Sequence, residues 1–315
     1  MNNTFSKDIL IIGLGAQAKA WALNLRDSKR DITIALRAES KSLSVAKELG
    51  FKTIFIDSSE ISNFKNILLL APDDQHVSIL KDLSDRLQNK QNIFYAHGFS
   101  VTYEKLNEIY PTLNHLLLAP KAIASEVRYN YETKSPLTAV VSTEYSDKNG
   151  SDDLKSLAQD LGITVGPINS SFLEETNADL FSEQSILCSL IPYGAKNSFD
   201  ILTAKGISPE IAYIECWHEV KLIADAMIKL GPTEFFKLIS PNALLGGQIA
   251  KDKIFNANLL KTYEDLYSNI ESGKFFHATK ESDFQKLQTD VLNEWENHPI
   301  NTIYKDLGSR LRPKT

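Results

Sequence analysis

Cysteine is nearly absent from this 315-residue chain: there are two, Cys188 and Cys216, in separate apolar stretches and with no Cys-x-x-Cys spacing. That excludes a disulfide framework, and a reduced, cytoplasmic compartment is the expectation. No apolar run reaches the roughly 20 residues of a membrane span. The start, Met1 to Asp8, lacks the pattern of a secretory signal and leads directly into an apolar run. There is no excess of basic charge either. The net charge of -6 argues against non-specific nucleic-acid binding, whose footprint is basic. Internal repeats and low-complexity segments are also missing. What is present is 43% hydrophobic and 23% charged, an ordinary globular composition, and 315 residues suffice for two domains with cores of their own.

The most informative presence is a doubled pattern of acids. Asp179/Glu183 and Glu215/Glu219 each place two carboxylates four residues apart in an apolar setting. At helical spacing these like charges share a face and destabilise the helix. Burying them unpaired is costly, so a cation between them is expected. All-oxygen ligation suits a hard divalent ion, and four carboxylates suffice for two Mg2+. The plain alternative is two solvated helix faces carrying ordinary charge. Glu215-Cys216-Trp217-His218 also fits the Glu-x-x-His motif of di-iron bundles, but no second copy exists in the chain.

The first half alternates short apolar runs with amphipathic stretches, as βαβ units do. Strands are predicted at 8–12, 32–36, 53–56, 67–70, 92–95, 114–118 and 137–141. Helices are predicted at 17–26, 44–48, 75–87 and 103–109. The fold class is therefore α/β: a Rossmann-type, doubly wound parallel sheet over 1–171, followed by an all-α domain over 172–315. In the second half helices are predicted at 174–190, 208–229 (stopped by Gly231-Pro232), 232–236, 258–270 and 281–297.

Gly13-Leu14-Gly15-Ala16-Gln17-Ala18 follows the first strand and opens a helix, the context a dinucleotide loop requires. Its glycines let pyrophosphate approach backbone N–H groups at a helix N-terminus. After the second strand the sequence reads Leu36-Arg37-Ala38-Glu39-Ser40-Lys41-Ser42. No acid at the strand end awaits a ribose 2′-hydroxyl, whereas Arg37, Ser40 and Ser42 suit a 2′-phosphate. NADPH is favoured, and Glu39 keeps NAD open.

With these motifs stand Pro72-Asp73-Asp74-Gln75, Ala96-His97-Gly98-Phe99, Ala119-Pro120-Lys121, Glu174-Glu175-Thr176, Asp179-Leu180-Phe181-Ser182-Glu183-Gln184 and Glu215-Cys216-Trp217-His218-Glu219-Val220-Lys221. Together they resemble ketol-acid reductoisomerase, the acetohydroxyacid isomeroreductase of branched-chain amino-acid synthesis, in its short-chain class and almost end to end. The resemblance implies two Mg2+ held by Asp179, Glu183, Glu215 and Glu219, the last two supplied by a partner chain. It implies NADPH held by Gly13, Leu14, Gly15, Ala16, Gln17, Arg37, Ser40, Ser42, Asp73, Asp74, Gln75 and Ala124. Lys121 would be a cationic proton donor, His97 would line the site beside the nicotinamide, Glu219 would serve the chemistry as well as the metal, and Ser240 would hold the substrate carboxylate. The implied reaction is an alkyl shift in 2-acetolactate or 2-aceto-2-hydroxybutyrate, then reduction. The implied partner is a second copy, through a knotted helical domain forming a homodimer or larger homo-oligomer, with no nucleic acid or membrane involved.

Two places depart from the family pattern: Ala122-Ile123-Ala124 stands where Gly-Pro-Gly or Ser-Pro-Gly follows the lysine, and Leu244-Leu245 replaces an acidic-aromatic pair after Ser240. They motivate one rival reading, a divergent paralogue that reduces a 2-keto acid without the alkyl shift. A rival of another class is a non-catalytic NADP-binding sensor.

Overall fold

The computed structural model describes residues 6–311. Between Thr176 and Asn177 the chain divides into two compact units. The first holds one eight-stranded sheet: β1 (Lys7–Ile12), β2 (Ile32–Leu36), β3 (Lys52–Phe55), β4 (Phe64–Leu69), β5 (Asn92–Tyr95), β6 (Asn114–Pro120), β7 (Thr138–Tyr145) and β8 (Val165–Asn169), in the order β3-β2-β1-β4-β5-β6-β7-β8. From Ile9 to Ile12 β1 is apolar because both its faces are covered there. Ile9 and Ile11 join Trp21, Leu25 and Ile34 in the core on one side, while Leu10 and Ile12 join Ile67, Leu69 and Leu80 on the other. The strand order reverses between β1 and β4, the switch point at whose carboxyl end such folds bind ligands.

At the opposite, amino end of the strands a polar row fixes the register. Asn66, Asn92 and Asn114 are neighbours on β4, β5 and β6. Asn92 Nδ2 donates to Asn66 Oδ1 at 2.8 Å, and Asn114 Nδ2 donates to Asn92 Oδ1 at 2.8 Å. A one-residue slip would break both bonds inside the core, where lost partners are costly.

All seven predicted strands form, but the sheet is not wholly parallel. β7 pairs antiparallel with β6, and β8 runs parallel to β7. Hydrophobic alternation carries no strand direction, so this reversal leaves no trace in the pattern. β8 itself, Val165-Gly166-Pro167-Ile168-Asn169, was not predicted; its glycine and proline read as a turn, and it is tolerated as an edge strand. The helix Ala124–Thr133 also escaped prediction because it buries only Val127 and so shows no apolar stripe. The helix predicted at 103–109 starts earlier, at Phe99, and breaks at Lys105, whose φ of 54° is left-handed.

The second unit is helical. Its main helices after Phe172–Ser182 are Leu190–Ala204, Glu219–Leu238, Pro241–Ile254, Ala257–Glu271 and Phe284–Glu296, with a small core of Phe199, Ala212, Tyr213 and Ile300. The stop predicted at Gly231-Pro232 is a kink instead. Gly231 sits at φ 71°, which a residue without a Cβ adopts freely, and helix resumes at once. Two helical stretches contain π-turns, Glu183–Leu187 and Ile214–His218. Among the described residues no helix is long and apolar enough to cross a membrane.

Candidate active site

A cleft of about 430 Å3 opens at the carboxyl ends of β1, β2 and β4. Among its lining residues are Gly13, Leu14, Gly15, Ala16 and Gln17, then Arg37, Ser40 and Ser42, and then Ala71, Pro72 and Gln75. The glycines have different causes. Gly13 has φ +91°, and a Cβ there would lie 3.2 Å from the Ala71 nitrogen, so the fold itself requires it. Gly15 has φ −69°, and a Cβ there would meet nothing within 4 Å. Nothing in the protein demands Gly15; the open cradle beside it fits a pyrophosphate drawn close to the N-terminus of helix Ala16–Asp27, which no side chain caps. Arg37 is held ready, its guanidinium donating to Gln75 Oε1 at 2.7 Å. Asp73 and Asp74 make the short turn between Pro72 and Gln75, half-buried and exposed respectively. Ala124 opens helix Ala124–Thr133 and packs on the core.

Along the same sheet edge, His97 follows β5 and Lys121 follows β6. Both meet Glu175, from helix Phe172–Ser182. Lys121 Nζ donates to Oε1 at 2.6 Å, the Gly98 N–H donates to Oε2 at 2.9 Å, and His97 Nδ1 lies 3.2 Å from Oε2. The Glu175 side chain is 1% exposed. Burial opposes its ionisation, but the hydrogen bond and charge of His97, and then Lys121, outweigh that and hold its pKa at about 2. Glu175 was not singled out from sequence. The available signal was its spacing, since Glu175, Asp179 and Glu183 extend the acidic pair to a series at every fourth residue.

Gly98 permits this approach. A Cβ there would collide with Thr176 Oγ1 and come within 2.7 Å of the Phe172 carbonyl oxygen. Gly98→Ala should therefore lower unfolding stability by about 3 kcal/mol, the upper range for overpacking. A urea titration reads this as an earlier midpoint; an unchanged midpoint would mean that the helix retreats freely.

Both carboxylate pairs sit at π-turns: Glu183 opens the first, and Glu215 lies in the second, which hands over to α-helix at Glu219. Such turns are frequent at functional sites. The neighbouring thiols report the local field. Burial pushes the Cys188 thiol up, and the Glu183 and Asp179 carboxylates push it further; burial and Glu215 do the same to Cys216. An all-carboxylate donor set in a negative field fits hard divalent cations. Ser240 caps helix Pro241–Ile254, its Oγ accepting from the Ala243 N–H at 3.3 Å. Leu244 and Leu245 follow on that helix, 39% and 64% exposed. Glycine is not required between Lys121 and Ala124, because no residue there has a positive φ. Ala122-Ile123-Ala124 therefore stands in place of the family's glycines without backbone strain.

A doubly wound sheet with an open-cradled glycine loop at its switch point, and ionised groups along the same edge, defines a dinucleotide-dependent oxidoreductase. Residues 4–167 match the family described as acetohydroxy acid isomeroreductase, NADPH-binding domain, and residues 172–314 match ketol-acid reductoisomerase, C-terminal domain. The chain is 32% identical over 313 residues to a ketol-acid reductoisomerase (NADP(+)) of Corynebacterium aurimucosum, covering 97% of this chain and 90% of that one. It is 32% identical over 313 residues to that of an Arthrobacter species, covering 96% and 89%. Among solved structures it resembles an NADH-preferring ketol-acid reductoisomerase from an uncultured archean, with TM-score 0.87, 25% identity and coverage of 99% and 97%. A pyrroline-5-carboxylate reductase of Coxiella burnetii, 14% identical with TM-score 0.62 over 85% and 98% of the two chains, shares the fold. The chain belongs to the ketol-acid reductoisomerase family, the isomeroreductases of branched-chain amino-acid biosynthesis.

Proposed function

We propose that this enzyme converts 2-acetolactate or 2-aceto-2-hydroxybutyrate to the 2,3-dihydroxy acid, using NADPH and two Mg2+. The observation that carries the reading is Glu175, buried and ionised, holding Lys121 and His97 at the sheet edge that also carries the cofactor cleft. Asp179, Glu183, Glu215 and Glu219 would hold the metals, which when bound supply Lewis acidity at the substrate oxygens. The chain's own residues do the rest. Glu175 accepts from Lys121 and so keeps that amine protonated and aimed; a protonated Lys121 can give its proton to a substrate oxygen as charge builds there. Because the carboxylate only accepts, His97 carries a proton on Nδ1 toward Glu175. The cleft orients the nicotinamide for hydride delivery to the rearranged 2-keto acid. Arg37, Ser40 and Ser42 line the cleft and suit the 2′-phosphate, and the curated relatives are named for NADP(+).

The partner proposed is a second copy of the chain. In the helical unit Ile228 is 85% exposed, Leu238 69% and Leu245 64%, apolar side chains that a second copy would cover.

The test is NADPH oxidation by purified protein with Mg2+, on 2-acetolactate and separately on 3-hydroxy-3-methyl-2-oxobutanoate. Mg2+-dependent turnover of both is expected. Turnover of only the second would leave a reductase without the alkyl shift, and binding of NADPH with turnover of neither would reject the substrate assignment.

A further inference from the structure

His76 is the least expected residue beside the cofactor cleft, because it is a buried imidazole that none of the chemistry above uses. Its side chain is 2% exposed at the start of helix His76–Leu83. Nε2 lies 2.9 Å from the carbonyl oxygen of Ala71, five residues back, and Nδ1 lies 2.6 Å from Ser100 Oγ. A carbonyl oxygen only accepts, so Nε2 carries the proton and Nδ1 accepts from the Ser100 hydroxyl. Both ring nitrogens are satisfied by one neutral tautomer. Burial favours that neutral form, pushing the ring's pKa down against the pull of Asp73 and Asp74.

The carbonyl it holds occupies a sensitive place. Ala71 ends the segment leaving β4, where the Leu70 N–H donates to the Ile12 carbonyl at 3.1 Å. The Ala71 backbone is the surface against which Gly13 packs. Ala71, Pro72 and Gln75 line the cleft together with the glycine loop, and Gln75 accepts from Arg37. The Gln75 N–H closes the same turn on the Pro72 carbonyl at 2.9 Å. One imidazole thus ties Ser100, on helix Phe99–Glu104, to the cleft lining at Ala71, from which the turn leads to Gln75, the residue that steadies Arg37.

We propose that His76 is a positioning residue for the dinucleotide: its neutral ring, braced by Ser100, fixes the Ala71 carbonyl and thereby the cofactor-facing wall of the cleft. It touches neither cofactor nor substrate, and it acts on how well the cleft is pre-organised. This rests on the reading of the cleft as the NADPH site.

The experiment measures NADPH affinity by fluorescence titration, and KM and kcat, on the full chain. His76→Ala should raise the Kd and KM for NADPH about tenfold and leave kcat within about twofold. His76→Gln keeps an N–H donor at the same reach and should recover affinity to within about threefold of wild type. Ser100→Ala removes only the brace, leaving Nδ1 without its donor; it should weaken NADPH about threefold with a modest fall in melting temperature, a readout that stands even where His76→Ala fails to fold. Wild-type affinity in either alanine variant would overturn the proposal, as would a glutamine variant no better than alanine. Wild-type protein that binds no NADPH would instead reject the reading of the cleft.

Discussion

Glu175→Gln is expected to lower turnover about 100-fold or more while leaving NADPH affinity near wild type. The substitution keeps the side-chain shape and removes one charge. That charge is the shared acceptor for the Lys121 ammonium, the Gly98 N–H and the His97 ring. Breaking a buried pair by neutralising one partner costs about 3 kcal/mol or more, because the other charge loses its compensation. About 2.7 kcal/mol is already two powers of ten in rate where the pair must stay assembled for the reaction. The cleft lies along the sheet at other strand ends, so binding of the dinucleotide should be spared. A second readout separates charge from packing. With the Glu175 pKa depressed from its ordinary 4.5 to about 2, the stability its ionisation lends is complete above about pH 4.5 and lost as pH falls toward 2. The glutamine variant should lack that part of the acid-unfolding slope. Turnover within about threefold of wild type, with the acid slope retained, would remove Glu175 from the site.

What the sequence made legible follows from where burial is periodic. β1, β2 and β4 to β6 are covered on both faces or nearly so, and their apolar runs appear as such. The glycine loop was legible because a strand, two glycines and a helix start coincide within a few residues. Strand direction was not legible, since a side chain's face says nothing about the hydrogen-bond partner's polarity, and so the turn from β6 to β7 went unseen. Lys121 and His97 could be placed near a site by resemblance, but their common partner could not. Glu175 is 78 residues from His97 and 54 from Lys121, and only the tertiary fold joins them. The π-turns were hidden for a different reason. They insert one residue into a helix, so spacing arguments based on 3.6 residues per turn pass through Glu183 and Glu215 without detecting them. His76 was hidden by its own success: a histidine whose two nitrogens are both satisfied looks, in sequence, like any other.

Glu183→Gln and Glu215→Gln should each abolish Mg2+-dependent turnover and weaken Mg2+ binding at least about 100-fold, with NADPH affinity unchanged. Loss of a partner one shell away from a metal already costs roughly 10–100-fold in affinity or activity, and removal of a direct carboxylate ligand should cost no less. The Glu215 side chain is exposed inside a π-turn, so neutralising it relieves repulsion with Glu219 and should not destabilise the fold. That relief sharpens the test for Glu215→Gln: activity should vanish while the melting temperature holds or rises. Glu210→Gln, an exposed acid on the preceding helix Pro209–Tyr213, serves as the control and should behave as wild type. Calorimetric titration of Mg2+ and fluorescence titration of NADPH measure the two ligands separately. A protein that only senses NADP has no use for the four carboxylates, so in that case both variants would bind NADPH normally and lose nothing else. Unchanged Mg2+ affinity in both would reject the pairs as metal ligands and return them to ordinary charged helix faces.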